Sequence, residues 1–280
     1  MPHRTPVRRL LILAVACALS GPAWSQPIFS CKPGAEGPAL AVMKANSSDP
    51  KADEAAADAA VRQAQALSAK ALAGEAVEAP YKGVAHWGRL AATAQTPRTA
   101  ELFRRAARDQ LFRTHAAAAA TGAAWTAGLS QPALGYAYQR VVLPDCGVDR
   151  DNTAWLKGEL DANGWFTLSR DGAEAEKAAF LLVQHADQDF DFQRDTLRQL
   201  EPLAAAGEVS GRSVAFLHDR LAVADGRPQR YGTQGRCTGA GRWEPFETEA
   251  PEGLDQRRAQ IDQPPIAQYA ASMARHCGVR

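Results

Sequence analysis

Side chains able to do chemistry crowd the last third of the chain, where the surrounding pattern is apolar and helical. Gln184-His185-Ala186-Asp187 closes one apolar run and His218-Asp219-Arg220 interrupts the next. Gln229-Arg230-Tyr231-Gly232-Thr233-Gln234 follows a Gly-Arg-Pro turn. Burying such a group without a partner costs roughly 1–3 kcal/mol, so these side chains either satisfy one another or face a shared pocket. As a general base His185 needs an orienting carboxylate within hydrogen-bond reach. Asp187 suits that role poorly, because residues i and i+2 of a helix point apart; Asp219 suits it better. His185 reads equally as a satisfied core histidine, and Asp219-Arg220 as an ion pair tying two helices. Arg220 could also present its planar fork to a carboxylate or phosphate.

Tyr231, Thr233 and Gln234 read as a hairpin strand with an inward tyrosine, and Arg257-Arg258 as a solvated turn. The candidate site is therefore Gln184, His185, Asp219, Arg220, Tyr231, Thr233 and Gln234. His185 is expected about 2.6–3.2 Å from Asp219, Tyr231 or Gln234, beside a solvent-reached pocket. Familiar catalytic signatures are missing. Ser169, Ser210 and Ser213 fit helix starts better than a Gly-x-Ser-x-Gly elbow. The sequence holds no phosphate loop, HExxH pair or dinucleotide fingerprint, and the Gly235–Gly241 run lacks a strand-to-helix setting. No cofactor and no metal is expected.

The chain start points to export. Arg4, Arg8 and Arg9 precede an apolar run from Leu10 to Leu19, Gly21-Pro22 breaks it, and Ala23-Trp24-Ser25 offers small residues to a signal peptidase. This is the layout of a secretory signal over residues 1–25, with an apolar run too short to span a bilayer. The rival is a lipoprotein acylated at Cys17, for which Ala14-Val15-Ala16 is a poor lead-in. Removing 25 residues lowers Lys+Arg from 32 to 29 against 31 acidic residues. That slightly acidic balance argues against nucleic acid or an anionic membrane surface as partner. No second apolar run is long enough for a membrane helix. Cys31, Cys146, Cys237 and Cys277 remain, an even count that favours two disulfides in an exported chain. Cys31–Cys146 and Cys237–Cys277 are the preferred pairs.

The elements that must position these residues are mostly helical. Residues 26–95 read as an irregular start followed by an Ala-rich helix from Asp49-Pro50 to Gly74, then a connection over Pro80–Gly88. From Thr96-Pro97, an N-cap and first-turn proline, a helix runs toward Ala120. Pro132–Pro144 reads as a link with a short β-like Gln139–Leu143. Helices follow after Asp151 or Asn152, from Gly172 to Ala186, from Phe190 to Ala206, from Ser210 or Ser213 to Gly226, over Leu254–Ala259 and from Ile266 to Arg275. Tyr231–Thr233 and Trp243–Phe246 read as hairpin strands around a Gly-rich loop. The expected fold is mainly α: residues 96–280 as a compact multi-helix domain with one small β-hairpin near the C-terminus.

Several motifs in this order resemble the bacterial domain-of-unknown-function family DUF6624. They are Asn152 ahead of Leu156-Lys157, Gly164-Trp165, Gly172, and Leu181-Leu182-Val183-Gln184-His185-Ala186-Asp187 with Gln193. Asp219-Arg220, Gly226, Gln229, Tyr231-Gly232-Thr233-Gln234, Arg257-Arg258 and Pro265 before Tyr269 complete the set. The resemblance covers about residues 152–270 and reaches weakly to Arg108-Asp109-Gln110. Phe166 departs from it, since the family carries Pro after Gly-Trp. The family implies no activity, substrate or cofactor. The leading expectation is an exported periplasmic or envelope module binding a small polar ligand or an envelope protein. One rival is a hydrolase on an envelope polymer using Asp219 and His185, with Glu159 a distant second carboxylate. The other is a structural protein with a buried polar network.

Overall fold

Short polar caps and prolines start the helices where the chain can spare a backbone donor. The computed structural model describes residues 39–277. In chain order these form α1 (Ala39–Asn46), α2 (Pro50–Leu72), α3 (Lys82–Thr93), α4 (Pro97–Thr121), α5 (Gln131–Val141) and α6 (Val148–Asn163). Then come α7 (Leu168–Asp171), α8 (Ala173–Gln184), α9 (Phe190–Ala205), α10 (Gly211–Ala224), β1 (Gly235–Gly239), β2 (Arg242–Pro245), α11 (Leu254–Ala259) and α12 (Ile266–Ala274). Asp49, Thr96, Ser130 and Asp189 each accept a backbone N–H of the following first turn, capping α2, α4, α5 and α9. Gly122, at φ +69°, ends α4 in the left-handed conformation glycine adopts without penalty.

One apolar core runs from Ala57 of α2 to Leu221 of α10, with Trp87, Phe103, Trp125 and Phe166 among its largest members. Helix α3 packs on α4, α2 on α5, and α4 and α6 both on α8. The N-terminal helices thus share the core of the region they precede. The thin apolar face of α2 is largely alanine (Ala57, Ala60, Ala64 and Ala71 are buried), which permits close helix approach. Among the described residues no helix is long and apolar enough to cross a membrane.

The fold is mainly α with a two-stranded antiparallel hairpin near the C-terminus. Several details differ from expectation. The Pro132–Pro144 link is helix α5, whose Ser130 cap and first-turn Pro132 start a helix through the β-branched stretch. Pro80–Gly88 gives way to α3 from Lys82, and Ala39–Asn46 is helical where an irregular start was expected. The hairpin is shifted: Gly235 faces Pro245 and Cys237 faces Trp243, so the Gly-rich segment is itself the first strand. A Cβ at Gly235 would lie 2.3 Å from the Glu244 carbonyl oxygen and from the Trp243 ring. Glycine serves close strand approach here.

Cys237 and Cys277 form a disulfide with Cα atoms 5.5 Å apart, tying the hairpin to the end of α12. Cys31 lies outside the described residues, as do the signal segment 1–25 and Cys17.

Candidate functional site

Three helices bring charge into the core. On α4, Arg105, Asp109 and Arg113 recur every four residues and form one polar stripe among buried Leu102, Phe103, Ala106 and Phe112. Helix α6 faces it with Asp149, and α8 delivers His185 at its C-cap. His185 falls just beyond the helix that was expected to run to Ala186, and this turns its ring toward α4. Its Nδ1–H donates to Asp109 at 2.8 Å (Oδ1) and 3.0 Å (Oδ2), so the carboxylate fixes which nitrogen carries the proton. Among the described residues, Nε2 on the far edge meets only the Gln184 amide, at 3.4 Å. The side chain as a whole retains 9 % exposure.

Asp109 is fully buried, and its remaining capacity is filled. Gln110 Nε2–H donates to Oδ2 at 2.8 Å and Arg113 Nη1–H to Oδ1 at 2.9 Å. Arg113 also reaches Asp149 through both terminal nitrogens, each at 3.1 Å. Burial alone would push the Asp109 carboxyl up, but His185, Arg113 and the hydrogen bonds together hold it below the usual carboxylate range. At Asp149 burial outweighs Arg113 and the carboxyl lies above that range. Asp109, Asp149 and His185 have the residue types of a metal site, with one ligand atom each lying within 4.8 Å of the others. The Arg113 guanidinium already bridges both carboxylates and supplies the positive charge a cation would bring.

The rest of the motif braces this cluster. Asp187 takes a two-pronged pair from Arg220, with Nε at 2.7 Å, and so joins the α8–α9 corner to α10. Gln193 Nε2–H donates to the Val183 carbonyl at 3.0 Å. Gln188 Nε2–H donates to Thr153 Oγ1 at 2.8 Å, on the α6 face that carries Asp149.

Asp219 does not join His185, which is a correction to the expected convergence. Its carboxylate is enclosed by backbone amides: Oδ1 accepts from Arg230 (2.8 Å) and Tyr231 (3.0 Å), and Oδ2 from Thr233 (2.9 Å). Gln229 imitates a strand partner for Gln234. Its Oε1 accepts from the Gln234 N–H at 2.9 Å and its Nε2–H donates to the Gln234 carbonyl at 2.8 Å. Gln234 Nε2–H in turn donates to Thr233 Oγ1 at 3.0 Å. Arg258, expected on a solvated turn, is fully buried and donates to the carbonyls of Tyr231 and Pro264 at 2.6 Å each. The predicted polar cluster is therefore two: a knot around Asp219, and an acid–base group around His185. Sequence reading missed Asp109, Arg113 and Asp149 as site residues. The i, i+4, i+8 charges on an apolar α4 face were the available signal.

These features describe a mainly α protein whose core holds an acid–base cluster assembled from α4, α6 and α8. Residues 108–280 match the family of unknown function DUF6624, and the chain belongs to it. The match begins one residue before Asp109, so it contains every member of the His185 cluster. No curated protein and no solved structure matches the chain.

Proposed function

We propose that the protein is an exported hydrolase that uses His185 as a general base, with Asp109 as the carboxylate that orients it. The observation that carries this reading is the buried Asp109–His185 hydrogen bond at Nδ1, with Nε2 meeting only the Gln184 amide among the described residues. A buried carboxylate holding one imidazole nitrogen stabilises the imidazolium and frees the other nitrogen for proton transfer. Nε2 takes a proton from a water, whose oxygen attacks the carbonyl carbon of an ester or amide. The imidazolium then returns that proton to the leaving oxygen or nitrogen as the bond to carbon breaks. Asp219 has no part in this step, because its oxygens are committed to backbone amides. Buried ion pairs are poor sources of stability compared with apolar packing, which favours a working role for the cluster. The Cys237–Cys277 disulfide supports an oxidising compartment.

Purified mature chain should hydrolyse p-nitrophenyl acetate or isolated peptidoglycan. His185→Gln and Asp109→Asn should lower the rate at least about 100-fold while keeping the far-ultraviolet circular dichroism of the parent. Equal rates for parent and His185→Gln would overturn the reading.

A cavity of about 270 Å³ between α6 and α9 favours a second reading, a binding module. Leu160 and Phe192 floor it and Asp161, Asp189 and Asp195 rim it, with Lys157 paired to Asp189. Such a lining suits a small cationic ligand. Heat on titration with 1,4-diaminobutane, abolished by Asp189→Ala, would support it, and no heat would remove it.

A further inference from the structure

The cavity between α6 and α9 already holds a cation that belongs to the chain itself. Lys157 of α6 lines it, and its Nζ–H donates to Asp189 Oδ2. The same ammonium lies 5.4 Å from the centre of the buried Phe192 ring, within the range of a cation–π contact. Asp189 is fixed in place by a second duty. As the N-cap of α9 its Oδ1 accepts the Phe192 N–H at 3.0 Å, which leaves Oδ2 to meet a charge from outside that helix.

This pair opens easily. The side chains are 44 % exposed at Lys157 and 28 % at Asp189, and an ion pair so open to water holds weakly. A place for the displaced ammonium lies one turn further along α6. Asp161 follows Lys157 by four residues, the spacing at which side chains of one helix meet. It is exposed and has no hydrogen bond or ion pair among the described residues. The neighbouring carboxylates are already taken, Asp191 by Arg194 and Asp195 by Arg198.

We propose that Lys157 is a tethered stand-in for the ligand of this cavity. An incoming primary alkylammonium takes its place on Asp189 and Phe192, and Lys157 swings to Asp161. The proposal rests on the reading of the cavity as a site for a small cation, and it narrows the class of that cation. The lysine ammonium on its four-carbon stem is the group the site already holds, so the ligand it selects is an ammonium on an alkyl stem. Leu160, on the cavity floor, meets the methylenes.

Calorimetric titration of the full mature chain with 1,4-diaminobutane tests this. Lys157→Gln removes the internal competitor and should bind the diamine about fivefold more tightly than the parent, the upper range for an exposed ion pair. Asp161→Asn should weaken binding by the parent and leave that of Lys157→Gln unchanged, because no ammonium then needs a new place. Equal or weaker binding by Lys157→Gln would overturn the stand-in. Equal weakening by Asp161→Asn in both backgrounds would overturn the swing. No heat from either the parent or Lys157→Gln would remove the cavity reading itself, and this proposal with it.

Discussion

At the residue scale, the account turns on which charges compensate which. Asp109 is fully buried between His185 and Arg113. Replacing His185 by leucine strips one partner from that carboxylate. The expected cost is about 3 kcal/mol, the low end for a broken buried pair, because Arg113 stays; urea unfolding measures it. His115 makes a separate, pH-dependent contribution. Burial pushes its imidazole down to about 4 from an ordinary 6.5, so between those values the unfolded chain binds the proton and the folded chain does not. Stability is then complete above about pH 6.5 and falls by about 3 kcal/mol as pH drops to about 4. The urea midpoint should show that slope, and His115→Gln should flatten it. Asp109, held low, loses its contribution only below the usual carboxylate range, so the two effects occupy different pH windows.

At the element scale, the α10–β1 connection is organised by one carboxylate. Asp219→Ala removes the acceptor for the N–H groups of Arg230, Tyr231 and Thr233. The expected loss is about 3 kcal/mol, hydrogen bonds to charged groups being the stronger kind. Hydrogen exchange at those three amides should accelerate while the α4 amides hardly change; uniform acceleration would contradict a local role. This scale also shows what the sequence makes legible. Helices α4, α9 and α10 follow from apolar spacing and from caps at Thr96, Asp189 and Ser210. Helix α5 was hidden by a β-branched end and flanking prolines, and β1 by its glycines, of which Gly235 makes room for Trp243. Gln184, His185, Asp219, Arg220, Tyr231, Thr233 and Gln234 stand out in the sequence as misplaced polarity. Their partners do not: which carboxylate meets His185 depends on how α4 packs against α8, across 76 residues of chain.

At the scale of the whole molecule, a disulfide fastens the end of α12 to the hairpin. The Cys237–Cys277 bond spans 40 residues, and chain-entropy arguments assign such a loop about 4 kcal/mol. Cys237→Ser with Cys277→Ser should lower the melting temperature and loosen α12 first, as amide exchange in Ile266–Ala274 would report. The acid–base cluster, by contrast, is expected to be dispensable for folding. Removing Asp109 and His185 together leaves Arg113 still paired with Asp149, so no buried charge is stranded. The most direct test is the urea stability of Asp109→Leu/His185→Leu beside that of the parent. The account predicts agreement within about 1 kcal/mol, although His185→Leu alone is costly, because apolar residues replace a buried ion pair at little loss. A loss of about 4 kcal/mol or more would contradict it and make the cluster a structural network.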